Sequence, residues 1–290
     1  MKCVAVTMRC LVLIATALIA DVAGGETLHS GTVLITGSNR GIGYSFARLY
    51  AERDWTVIAT ARHPEAAKEL HDLAAQHRNV IIETLDVADE ASIKLLADKY
   101  RGRPIDVLLN NAINAGDVSG QTFGTMTYET FQQVMRVNVF GPLAVSQAFL
   151  ANVMASGQKK IVAITSGGEI VATGANSKPP RGGPGPRAFP KVFYDSHGHY
   201  KLTFYLASKS ALDWVMYSLA GDLMADNVIV GVIAPGTADT GGSRAALGDW
   251  AATLGNPDDA ARNVMKVIDA LTMADSGKPL GPDGLPAGRR

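Results

Sequence analysis

From Thr32 onward, short apolar runs alternate with longer stretches in which apolar residues recur every three or four positions. Thr32-Val-Leu-Ile-Thr36 is β-branched and apolar, the composition of a strand buried on both faces. Similar runs lie at Trp55 to Ala61, Val80 to Leu85, Ile105 to Leu109, Lys160 to Thr165 and Val228 to Ala234. Helical spacing covers Tyr44 to Arg53, with Phe46, Leu49 and Tyr50 on the buried side. It recurs at Pro64 to His77, from Asp89 toward Tyr100, and over about Tyr128 to Met154. Further helices are expected around Tyr205 to about Ala225 and at Asp258 to Ala274. Pro64 suits a first turn, Asp89 suits an N-cap, and Gly141-Pro142 predicts a bend in the long helix. Strands alternating with helices predict one α/β domain over residues 31–290. Its architecture is a doubly wound parallel sheet of Rossmann type with helices on both faces, three layers in all.

Two stretches break the rhythm. Residues 171–203 hold five of the thirteen prolines, at positions 179, 180, 184, 186 and 190, followed by Phe193, Tyr194, His197, His199 and Tyr200. So long a loop inside a compact domain covers a substrate site or is a surface insertion. The other break is the start. Lys2 and Arg9 precede an apolar run from Leu11 to Ala20 and a small-residue exit at Gly24-Gly25, so residues 1–25 read as a signal peptide or an unprocessed leader. That run is too short for a stable membrane span.

Composition narrows the function classes. With 47% apolar and 19% charged residues the chain supports a sizeable core, and its formal net charge of zero gives no reason to expect nucleic acid as partner. Cys3 and Cys10 are the two cysteines, both in the leader, so the domain holds no disulfide framework or cysteine metal site. His197 and His199 lack carboxylate or cysteine companions, and no metal site is expected.

The first βα turn reads Thr36-Gly-Ser-Asn-Arg-Gly-Ile-Gly43. Glycines there allow a tight turn and close approach to a pyrophosphate, and the helix N-terminus offers unpaired N–H groups. Gly37, Ser38, Asn39, Arg40, Gly41, Ile42 and Gly43 are therefore candidate dinucleotide contacts. The end of the second strand carries Thr60-Ala-Arg62-His63, with no carboxylate for a ribose 2′-hydroxyl. Arg62 and Arg40 instead suit a 2′-phosphate, which favours NADP over NAD.

Tyr205 and Lys209 lie four residues apart in a helical run, on one face. A lysine beside a tyrosine stabilises the phenolate and is expected to lower the phenol pKa from about 10. Such a pair is common on helices by chance. Its occurrence after a nucleotide loop gives it weight as a proton donor and acceptor.

The glycine pattern with Tyr205-x-x-x-Lys209 strongly resembles the short-chain dehydrogenase/reductase family, over roughly residues 31–245. Within it the chain looks similar to sniffer/C-factor-like carbonyl reductases. The resemblance implies an adenine contact at Asp86-Val87, a catalytic Ser166 and a helix asparagine at Asn138. It also implies cofactor contacts at Asn111, Ala112, Pro235, Gly236 and Thr240, with Tyr205 and Lys209 against the nicotinamide ribose. Ser166 would orient the substrate oxygen, and Asn138 would hold a helix kink and a water leading to Lys209. Two departures stand out. Asn110-Asn-Ala-Ile113 has isoleucine where the family has glycine, which puts the adenosine side of the site in doubt. Ser166 and Tyr205 are 39 positions apart, because the insertion lies between them. An insertion there obstructs the family's usual subunit contact, so a monomer or homodimer is expected rather than a tetramer.

The expected activity is hydride transfer between NADP and a small carbonyl or alcohol substrate, with Tyr205 as general acid/base. The alternative is a non-enzymatic NADP-binding sensor on the same fold. Location stays open: a signal peptide implies a secreted or periplasmic protein, whereas NADPH chemistry points to the cytoplasm.

Overall fold

The computed structural model describes residues 30–166 and 201–287. The expectations placed on the leader and on the aromatic and histidine residues of the insertion lie outside these residues. Seven parallel strands form one sheet in the order β3-β2-β1-β4-β5-β6-β7. They are β1 Thr32–Ile35, β2 Thr56–Ala61, β3 Val80–Thr84, β4 Val107–Asn110, β5 Lys160–Ile164, β6 Ile229–Ile233 and β7 Pro279–Leu280. The first six match the apolar runs. The seventh escaped the pattern because it is two residues long and begins with proline, which suits an edge.

Helices cover both faces: α1 Gly41–Ala51, α2 Lys68–Gln76, α3 Glu90–Lys99, α4 Tyr128–Met135, α5 Gly141–Met154, α6 Thr203–Asp222, α7 Gly241–Leu247 and α8 Pro257–Ala270. Alternating strand residues feed two cores. Val33, Ile35, Val107 and Leu109 pack with Phe46, Tyr50, Leu70 and Val264 from α1, α2 and α8. Leu34, Leu108 and Ile161 pack with Ile93, Phe149, Leu212 and Met216 from α3, α5 and α6. This two-sided burial follows from strand side chains pointing to opposite faces, and it is why the strand sequences are apolar without interruption.

Local signals set the helix ends. The Asp89 carboxylate accepts the Ala91 N–H at 3.0 Å and caps α3 as expected. The predicted second helix starts later than Pro64: Pro64–Ala66 is a separate 3₁₀ turn before α2. The long helix is interrupted before Gly141-Pro142. Residues Arg136–Phe140 form a π turn between α4 and α5, and such turns recur at functional sites. By length and composition the run Tyr128–Met154 could cross a membrane. Its Val145, Phe149 and Val153 instead pack into the sheet and are fully buried.

β1 leads to β2 on one side and β4 on the other. Chain direction across the sheet reverses there, and a crevice opens beyond the carboxyl ends of the strands. The glycine loop leaves β1 at this point.

Candidate active site

The glycine loop is built by close backbone contacts. Gly37 has φ +69°, and a side chain on it would come within 2.9 Å of the Ala112 Cα. At Gly43 an added Cβ would lie 2.1 Å from the Gly37 carbonyl oxygen. Gly41 also has positive φ, and the Thr240 methyl group sits 3.2 Å from where its Cβ would be. The segment Pro235 to Thr240 is thereby brought against the loop. Thr240 also caps α7, its hydroxyl accepting the Ser243 N–H at 3.1 Å. Arg40 stands at the N-cap of α1 without supplying a side-chain cap, so the first N–H groups of that helix keep their capacity for a ligand.

The expectation for Ser38 needs correction. Its side chain is fully buried. Its hydroxyl donates to the Ile35 carbonyl at 2.9 Å and accepts the Thr60 N–H at 3.2 Å, while its own N–H is donated to the Thr60 carbonyl. Both its donors are spent on joining the loop to β2, so Ser38 shapes the cradle from beneath.

The β4 end is fastened to the same loop. The Thr36 hydroxyl accepts the N–H groups of Asn111 and Ala112, each at 2.9 Å. The Asn111 amide donates to the carbonyls of Thr36 and Gly37. Ile113 does not disturb this arrangement: it has ordinary negative φ and points outward, 46% exposed. The backbone at that position therefore does not need the positive φ that favours glycine. At the β3 end the Asp86 carboxylate accepts the Ala88 N–H at 2.9 Å, and Val87 is buried against Gly141. Arg40 and Arg62 are exposed on the loop and at the end of β2, and neither forms an ion pair among the described residues.

The proton-handling residues converge on the other side of the crevice. Ser166 lies two residues beyond the end of β5 and is half-buried. Tyr205 stands in the first turn of α6, and Lys209 one turn later is almost fully buried. The lysine Nζ is 5.9 Å from the centre of the tyrosine ring and donates to the Ile164 carbonyl at 2.8 Å. Asn138 lies in the π turn, fully buried. Its amide donates to the Asn114 carbonyl at 2.8 Å and to the Ser208 hydroxyl at 2.9 Å, and its oxygen accepts the Asn114 N–H. The Ser208 hydroxyl donates in turn to the Tyr205 carbonyl at 2.6 Å. The expected kink residue is thus one bond away from the catalytic helix.

The expected downward shift of the tyrosine pKa is not what this structure gives. Burial pushes Tyr205 up to about 12. Burial likewise lowers Lys209 to about 8, against the opposing pull of Asp213. Desolvation disfavours the charged form of each group and is the leading cause of both shifts.

Sequence reasoning missed several supports. Gln121, fully buried, accepts the Tyr205 N–H at 3.2 Å and donates to the Ala115 carbonyl at 2.7 Å. That bond serves an N-terminal N–H of α6, whose N-cap Leu202 offers no side-chain cap. Thr36, Asn114 and Ser208 were missed for the same reason: their partners are distant in sequence. Among the described residues, no group of histidine, cysteine and carboxylate side chains could hold a metal.

The fold and this side-chain set define a dinucleotide-binding α/β protein with a serine, tyrosine and lysine at the crevice. A sequence model of the short chain dehydrogenases matches residues 31–177, and the chain belongs to that family. The short chain dehydrogenase gsfK of Penicillium aethiopicum is 31% identical over 270 residues, covering 87% of this chain and 97% of that protein. The NADPH-bound carbonyl reductase from chicken fatty liver has a TM-score of 0.70 at 26% identity, covering 88% of this chain and 97% of that one. The carbonyl reductase Sniffer of D. melanogaster has the same TM-score, 0.70, at 21% identity, covering 89% and 99%; its likeness is one of fold.

Proposed function

We propose that this protein is an NADP-dependent oxidoreductase acting on a carbonyl/alcohol pair. The observation that carries the reading is Lys209 beside the Tyr205 ring and bonded to the β5 end that leads to Ser166, with Asn138 bonded to Ser208 of the same helix, beside a glycine cradle that an added Cβ would fill. The cradle, the N-terminus of α1 and the two arginines fit a dinucleotide phosphate. Gly37, Asn39, Gly41, Ile42 and Gly43 would hold the pyrophosphate side, and Arg40 and Arg62 the 2′-phosphate. Asp86, Val87, Asn111 and Ala112 would hold the adenosine side. Pro235, Gly236, Thr240 and Lys209 would hold the nicotinamide side. When bound, that cofactor supplies or accepts the hydride.

The protein's own residues handle orientation and the proton. The Ser166 hydroxyl donates a hydrogen bond to the substrate oxygen and fixes its direction. Tyr205 gives its hydroxyl proton to that oxygen as negative charge develops, and removes it in the reverse direction. Asn138 and Ser208 hold the first turn of α6 from behind. A pure binding protein has no use for this set, which argues against the sensor alternative. NADPH oxidation against a panel of aldehydes and ketones tests the reading; a wholly inactive panel with tight NADPH binding favours the sensor.

Arg40 and Arg62 decide cofactor choice in this reading. Replacing both with alanine is expected to lower kcat/KM for NADPH by about a hundredfold, consistent with the loss of two charge-assisted phosphate contacts. NADH, which lacks the 2′-phosphate, should change by less than about threefold. Equal losses for both cofactors would remove the arginines from the 2′-phosphate site.

The same proposal extends to the assembly and the leader. The length of the insertion supports a monomer or homodimer, and the pattern of residues 1–25 supports a cleaved signal peptide and export. Native mass spectrometry of the protein from its own cells tests both. A tetramer overturns the first, and a mature chain that retains residues 1–25 overturns the second.

A further inference from the structure

We propose that Asp213 is a positioning residue of this site: it fastens the β5 end that carries Ser166 to the helix that carries Tyr205, and it serves as counter-charge to Lys209. The inference rests on the reductase reading and adds a residue to it. Asp213 lies one turn beyond Lys209 on α6, on the same face. The two side chains reach consecutive residues of the β5 end. Lys209 Nζ donates to the Ile164 carbonyl at 2.8 Å, and the Thr165 hydroxyl donates to the Asp213 carboxylate at 2.5 Å. A hydroxyl bound to a carboxylate is roughly twice as strong as a neutral hydrogen bond.

Thr165 is itself only 2% exposed, and its N–H is donated to the Ile233 carbonyl of β6 at 3.0 Å. The residue immediately before Ser166 is therefore held from the neighbouring strand and from the catalytic helix. Ser166 must place its hydroxyl within hydrogen-bond reach of the same oxygen that Tyr205 protonates. An error of about 1 Å in such a geometry can cost on the order of a hundredfold in rate. With the Lys209–Ile164 bond, the Thr165–Asp213 bond is a second side-chain contact tying these two catalytic carriers together, across 48 residues of sequence.

The charge has a second use. Around Lys209, α6 supplies Tyr205 and Asp213. The β5 end supplies the neutral Ile164 carbonyl. The π turn carries Arg136, which donates to the Ala88 carbonyl, and the neutral Asn138, which bonds Ser208. The other elements packed on α6, namely α4, β6 and the 3₁₀ turn Met224–Asp226, bring no charged side chain to bear on Lys209 among the described residues. Among the described residues, Asp213 is the one carboxylate that opposes the loss of the lysine charge on burial.

Two substitutions separate the roles. Thr165→Val removes the hydroxyl and keeps the carboxylate; Asp213→Asn keeps an acceptor for Thr165 and removes the charge. Thr165→Val is expected to lower kcat about tenfold with KM for NADPH within about twofold, and Thr165→Ser to restore kcat. Asp213→Asn is expected to move the Lys209 titration down by about one pH unit from about 8. That titration is followed by NMR of the protein labelled at lysine Cε, without substrate. A wild-type kcat in Thr165→Val, or a loss of kcat in Thr165→Ser equal to that of valine, overturns the fastening role. An unmoved Lys209 midpoint in Asp213→Asn overturns the counter-charge. If the wild-type protein reduced no carbonyl, the reductase reading would fail and the fastening role with it, while the lysine titration, which needs no turnover, would still decide the counter-charge.

Discussion

Replacing Tyr205 with phenylalanine is expected to lower turnover of every carbonyl substrate by about a thousandfold, the middle of the range for losing a positioned general acid. That loss corresponds to about 4 kcal/mol of barrier. Phenylalanine keeps the ring beside Lys209 and the backbone N–H bond to Gln121, so the first turn of α6 stays in place. NADPH affinity, read by fluorescence titration, should stay within about threefold, since only a hydroxyl is lost. Residual turnover would come from Ser166 and from orientation. A Tyr205→Phe protein with full turnover on an active substrate would sink the mechanism.

The pH dependence follows from the same pair. Tyr205, pushed up to about 12, is protonated throughout the neutral range and stands ready as an acid. Carbonyl reduction should therefore be flat through neutrality. It should fall as pH rises through about 8, where Lys209 loses its charge. Alcohol oxidation needs the phenolate and should gain from rising pH over the neutral range.

Gly43→Ala is the second large effect. The added methyl carbon would lie 2.1 Å from the Gly37 carbonyl oxygen and 2.5 Å from the Asn111 amide nitrogen. The first neighbour is backbone, so no rotamer change relieves the contact. The β1–α1 turn must open, and the Asn111 bonds to the Thr36 and Gly37 carbonyls must break. Overpacking of this kind costs about 1–3 kcal/mol of stability. The larger expected effect is on the cradle: NADPH affinity should fall by at least about a hundredfold, because its backbone N–H groups no longer converge on one site. Gly221→Ala is the control. Its Cβ would meet nothing within 4 Å, and it lies inside α6. It should leave NADPH binding unchanged and raise stability by up to about 1 kcal/mol. Equal NADPH affinity in Gly43→Ala and the parent would remove the loop from the binding site.

Much of this molecule was legible before any coordinates. Six strands are short apolar runs because both faces of a parallel sheet are covered, so the signal is continuous and strong. The Asp89 cap was readable because its side chain bonds to backbone two residues away. The catalytic residues were readable as types in order: a glycine turn, a serine at a strand end, and a tyrosine and lysine one turn apart.

What the sequence could not determine depends on contacts between distant segments. The direction of the Tyr205 shift differs from the expected one, because helical spacing puts Lys209 near the ring but says nothing of how far desolvation acts on either group. Ser38 looked like a ligand contact until β2 was placed beside it to consume its donors. The break in the long helix falls at Arg136–Phe140, ahead of the glycine and proline that announce it. The bond from the Tyr205 N–H to Gln121 and that from Thr165 to Asp213 show no local pattern, since each joins segments tens of residues apart. The sequence by itself determined the order of elements, the doubly wound sheet and the chemical types at the crevice, because periodicity and turn chemistry are local. Only the tertiary structure decided burial, hydrogen-bond partners and charge, because those are fixed by what packs alongside.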